Sequence, residues 1–186
     1  MIAWLALGFA ASSSLALLVT LVIAAAYAVG ALELWGFQRD TGRLQQALQP
    51  AQPEPSEFEH WLAQLPTTLR SPVARRIQGE PAALPGPLLT PYLSGLLVML
   101  GLLGTFIGMM IALQGAVSAL EGSTELVAIR AGLTAPIKGL SMAFGTSVGG
   151  VAASAVLGLL STMARRQRLA VARDLDVRGV QLFPGR

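Results

Sequence analysis

Three stretches of this 186-residue chain are long and carry no charge: residues 2–32, 81–120 and 139–164. A helix needs about 20 apolar residues to cross the hydrocarbon core of a bilayer. Each stretch exceeds that. A helix that is apolar all round must be buried in a large core or in lipid, and a chain this short cannot bury three of them. Charged residues make up only 12% of the chain, against about a quarter in soluble domains. The sequence therefore predicts an all-α membrane protein with three transmembrane helices and a long cytoplasmic extension of the third.

Taken in order, residues 1–35 form the first span. A signal peptide would open on positive charge and have a shorter apolar core; here no charge precedes Glu33. Trp4 and Trp35 suit the two interfacial belts, and this helix reads as a lipid-facing anchor. Residues 36–90 form a polar, proline-rich connection with short amphipathic helices. Ser56 and Glu59 have the spacing of a capping box. The helix they open should stop before Pro66, and residues 70–78 suit a second short helix. The second span covers 91–118, with Thr90 as its cap and Pro91 at a tolerant first position. A periplasmic turn covers 119–134, with a brief surface helix over 126–133. Thr134-Ala135-Pro136 repeats the start signal for the third span, 135–164. Its helical pattern continues through 165–186 to about Leu182, a rod of about 70 Å at 1.5 Å per residue.

Charge sets the expected orientation. Arg39, Arg43, Arg70, Arg75 and Arg76 follow span one, and Arg165, Arg166, Arg168, Arg173 and Arg178 follow span three. The positive-inside rule places both segments in the cytoplasm and the N-terminus outside. Arginines beside spans report topology, so the net charge of +3 is not read as nucleic-acid binding. There is no cysteine, which excludes disulfides, thiolate metal sites and thiol nucleophiles. His60 is the lone histidine and has no second imidazole to complete a metal set.

Two motifs stand out within the spans. GLLGTFIGMMIAL in the second carries Gly101, Gly104, Thr105, Gly108 and Ala112; GLSMAFGTSVGGVAAS in the third carries Gly139, Ala143, Thr146, Ser147, Gly149, Gly150 and Ala153. Gly101, Gly104, Gly108, Ala143, Gly149 and Gly150 are candidate helix-packing positions, because small residues let backbones approach. Thr105, Thr146 and Ser147 are candidate ion-pathway residues. Thr105 lies roughly 18 Å from the outer end of its helix and Thr146 roughly 15 Å from its own. The antiparallel spans could bring the two hydroxyls to one depth near mid-membrane. The alternative is plain packing, with each threonine bonded to its own i−4 carbonyl.

GLLGT in one span and AFGTSVGG in the next resemble the MotA/TolQ/ExbB proton-channel family over residues 90–166. The three-span layout is closer to the ExbB and TolQ branch, and the AF-x-T form resembles ZorA-type motor subunits. The latter carry long helical tails, which would make this chain the membrane part of something longer. The resemblance implies a pentameric homo-oligomer in the bacterial cytoplasmic (inner) membrane. A dimer of a single-span partner would sit within it, bearing an aspartate. Ion flow past Thr105 and Thr146 would drive rotation or force. No cofactor is implied; H+ is the coupling ion. Ser147 adds an oxygen of the kind hard cations prefer, so Na+ is the alternative. Two departures are visible. Ser141 stands where many ExbB-like chains have a glutamate, and a proline that often follows the second motif is absent.

Ion transfer across a membrane uses titrating groups, usually Asp, Glu or His, and spans two and three have none. A partner would have to supply one. An enzyme is not expected: Ser94, Ser141, Ser147, Ser154 and Ser161 are present, but no in-span histidine activates them, and Lys138 sits at the outer end of span three, too near water to act as their base. A structural membrane scaffold without ion conduction is the main rival.

Overall fold

The computed structural model describes residues 14–48, 58–121 and 134–182. These form five helices: α1 (Ser14–Ala47), α2 (Phe58–Gln64), α3 (Thr67–Ile77), α4 (Leu89–Glu121) and α5 (Thr134–Leu182). Among the described residues there is no strand. Three helices, α1, α4 and α5, are long and apolar enough to cross a membrane. The chain is an all-helical multi-pass membrane protein, and its third long helix continues unbroken beyond the predicted span. The brief helix over 126–133, the Ser56 arm of the capping box and Trp4 lie outside the described residues.

The chain divides into two compact units, Met1–Ala31 with Pro91–Gly158, and Leu32–Thr90 with Leu159–Arg186. In the first, Val19 and Ile23 of α1, Leu97 of α4, and Met142, Ala153 and Leu157 of α5 make a buried apolar cluster. The large side chains left over point outward: Leu21, Met99, Phe106, Leu113 and Phe144 are all more than 60% exposed. Water would not support that surface, whereas lipid or another membrane helix does.

The second unit has a more ordinary architecture. The first span was expected to give way to a polar connection at residue 36, but α1 continues to Ala47. No proline occurs before Pro50, Gly36 and Gly42 are tolerated within the helix, and Leu44 and Leu48 keep an apolar stripe on one side. That stripe packs with Phe58, Trp61, Leu65, Leu69, Val73 and Ile77 of the connection and with Val171 and Leu175 of α5. Trp61 Nε1 donates to Ala47 O at 2.9 Å, tying α2 to the end of α1. Arg70 donates to the carbonyls of Leu65 and Ala63, satisfying acceptors that the end of α2 leaves open. α3 begins at Thr67, earlier than expected, and accommodates Pro72 with the loss of one amide from its ladder.

Gly79 ends α3 at φ 81°. Its amide bonds Arg76 O, and the Glu80 amide bonds Arg75 O. This is the Schellman pattern, in which a left-handed residue closes the helix. Gly79→Ala places a side chain in that conformation and should destabilise the chain by about 1 kcal/mol. A lowered denaturation midpoint would register it; an unchanged one would show that α3 can end another way.

Candidate functional site

The two motif faces meet inside one chain. Gly101, Gly104, Gly108 and Ala112 recur every three or four residues and form one stripe along α4. Gly139, Ala143, Thr146 and Gly150 do the same on α5. A Cβ built on Gly108 would lie 2.6 Å from Ala143 N and 2.6 Å from Gly139 O. One on Gly139 would lie 2.6 Å from Ala112 N, and one on Gly150 2.6 Å from Leu97 O. Gly101 faces Gly150 and the carbonyls of Thr146 and Ser147. Rising positions on α4 meet falling positions on α5, so the helices are antiparallel here and in backbone contact. Gly149, also named as a packing position, is buried. α4 and α5 bury these packing faces against each other, because small residues leave no side chain to hold the backbones apart.

The candidate ion-pathway residues occupy three different settings. Thr146 is 3% exposed. Its hydroxyl donates to Met142 O at 2.9 Å, with Ala143 O at 3.2 Å. The Thr146 side chain fills the space a Gly104 side chain would take, 2.6 Å from Thr146 Cβ to the position of such a Cβ. Thr105, the next residue, is only half-buried and donates to Gly101 O at 2.9 Å. Ser147 is half-buried and offers its carbonyl to the Gly101 contact. The Gly104–Thr146 contact puts Thr105 and Thr146 at one level along the two helices. It directs Thr146 into the seam and leaves Thr105 on its flank.

A hydroxyl is one donor and two acceptor lone pairs. With both protons given to carbonyls of their own helices, the threonines present only acceptors. Thr105, the accessible one of the two, suits a protonated acid, which donates. To hold an ionised carboxylate, Thr105 must first release Gly101 O and rotate.

Sequence reasoning missed the group that fixes the start of α4. Thr90 was expected to cap the helix. Instead Glu33 of α1 accepts the amides of Leu88 at 2.8 Å, Leu89 at 2.9 Å and Thr90 at 2.6 Å, together with the Thr90 hydroxyl. Arg165 donates to Pro87 O on the same segment. Glu33 reads in sequence only as the charge that ends an apolar run; nothing local marks its partners, which are 55 to 57 residues away. Comparisons with protein-family models, with curated proteins and with solved structures find no match.

Proposed function

We propose that this chain is the ring-forming subunit of an ion-motive-force-driven membrane motor or channel. It pairs with a single-span partner whose aspartate supplies the titrating group, with protons as the coupling ion. The observation that carries the reading is the pair of threonines at one level in a carboxylate-free membrane segment, Thr105 on the flank of a tight helix pair and Thr146 within it. Five copies, by resemblance to the MotA/TolQ/ExbB family, would turn five Thr105 hydroxyls toward a central partner. A membrane carboxylate alternates between donor and acceptor as it titrates, and a hydroxyl can bond either form. The Thr105 rotation from Gly101 O is then part of each step. The bacterial cytoplasmic membrane, with the N-terminus outside, follows from the same reading and from the arginine distribution.

A structural scaffold is the second reading, and one observation favours it: both hydroxyls already have intrahelical acceptors, which is how threonines behave in membrane helices that merely pack. Substitution separates the two. Thr105→Val keeps the shape and removes the bonds. On the motor reading it abolishes ion-driven flux in a complex that still assembles, and Thr105→Ser retains much of it. Full flux in the assembled Thr105→Val complex, measured in proteoliposomes with the partner present, would leave the scaffold reading standing. Thr146→Val probes the seam as well as the pathway, so assembly by native mass spectrometry must accompany it.

A further inference from the structure

Within the second unit, α1 and α5 leave a cleft between them. Its hollow of about 330 Å³ is lined by Gln38, Thr41, Gln45 and Gln167 among others. An adjoining hollow of about 500 Å³ shares Gln45 and ends at Arg173 and Asp174. Gln38 and Gln167 each come three residues after the predicted end of a span, at Trp35 and Ala164. That is roughly 5 Å of helix, within the headgroup layer of a bilayer.

The cleft is rich in donors, and its nearest acids face cations: Asp40 lies within electrostatic reach of Arg168. Asp174 on its rim pairs with Arg178 at 3.1 Å. Neighbouring Asp176 pairs with Arg76 at 2.7 Å. Arg43, Arg166 and Arg173 have no carboxylate partner among the described residues. Behind Thr41 lies Arg168, 5% exposed. Its Nε donates to Thr41 Oγ1 at 2.8 Å and its Nη2 to Phe37 O at 3.1 Å, and its guanidinium stands 4.1 Å from the Phe37 ring centroid. Nη1 of the same guanidinium is buried with no hydrogen-bond partner. Asp40 offsets part of this charge, but the guanidinium is buried and so close beneath the hollow that water screens what remains poorly.

We propose that this cleft binds the phosphate headgroup of an anionic membrane lipid. The Gln38 and Gln167 amides donate to phosphate oxygens, and Arg173 reaches back from the rim. The Arg168 charge sets the sign of the ligand without touching it. Such a lipid would seat both helices against the bilayer surface. Basic pockets between membrane helices bind acidic headgroups by the same physics.

The test uses native mass spectrometry of the full chain in mild detergent, titrated with phosphatidylglycerol or with phosphatidylcholine of matched acyl chains. Phosphatidylglycerol should bind in preference. Arg173→Gln should weaken it about fivefold, the effect of one arginine near a charged surface. Gln38→Leu with Gln167→Leu should erase the preference while circular dichroism stays unchanged. Equal binding of both lipids overturns the proposal, as does unchanged preference in both variants. Competition by millimolar inorganic phosphate would assign the cleft to a free anion instead and overturn the lipid assignment. If the double variant loses helicity, Arg173→Gln decides alone, since its side chain lies on an exposed rim.

Discussion

Gly108→Leu will leave α4 unable to lie against α5, and the chain will lose most of its cooperative unfolding. The atoms in the way are backbone: Ala143 N and Gly139 O, each 2.6 Å from where the Cβ would stand. A flexible side chain could rotate aside, but a helical backbone can move only as a whole. Overpacking ordinarily costs about 1–3 kcal/mol, occasionally more, and this position should reach the top of that range. Gly150→Leu should behave alike, since Leu97 O and Gly101 N face it. Gly95→Ala and Gly158→Ala are the controls. A Cβ at either meets nothing within 4 Å, so alanine should be neutral or stabilise its helix by about 0.5–1 kcal/mol. Thermal unfolding in detergent, followed by circular dichroism, ranks all four. If Gly108→Leu melts with the parent chain, the α4–α5 seam is not what holds the membrane unit together.

Glu33→Leu is expected to free the first turn of α4. That turn has amides with no intrahelical acceptor, and Glu33 accepts three of them and the Thr90 hydroxyl. Bonds to a charged acceptor contribute about 1.5–3 kcal/mol each when dry. Leu88 and Leu89 are exposed, so water replaces part of what they lose, and the net destabilisation should be about 2 kcal/mol. Glu33→Gln keeps one acceptor oxygen and should fall midway. Hydrogen exchange at the amides of residues 88–90 reads the effect directly, with acceleration in the leucine variant and a smaller one in the glutamine variant. Unchanged exchange in Glu33→Leu would mean that the α4 start is held by Thr90 or Arg165 instead.

The seam experiment bears on the proposed motor. The Gly104–Thr146 contact fixes which hydroxyl faces away from the seam, so a loosened α4–α5 pair would lose flux without any change to Thr105. Measuring flux in Gly95→Ala, where the seam is intact, separates a general effect of helix substitution from an effect on the pathway.

The three spans and the helical class follow from sequence alone. Uncharged runs such as 81–120 have no stable place in water, so lipid or a large core must take them whatever the rest of the chain does. The start of α5 at Thr134 and the small-residue stripes on α4 and α5 were equally legible, since helical periodicity lines up Gly101, Gly104 and Gly108 without reference to any neighbour. What those stripes touch was not legible. A glycine face accepts any close backbone, and only the folded chain shows Gly139, Ala143 and Gly150 as the partners of α4. The same selection turned Thr146 inward and left Thr105 on the flank, a distinction absent from two motifs that look alike on paper. Beyond Trp35, polarity predicted a loop where α1 continues to Ala47, because the stripe of Leu44 and Leu48 acquires its value only against Trp61, Leu69 and Val171. Glu33 and Arg168 show the limit most plainly. A charge in sequence declares that it needs a counterpart, but the amides of 88–90 and the Thr41 hydroxyl become its counterparts only when tertiary structure brings distant segments within hydrogen-bond reach.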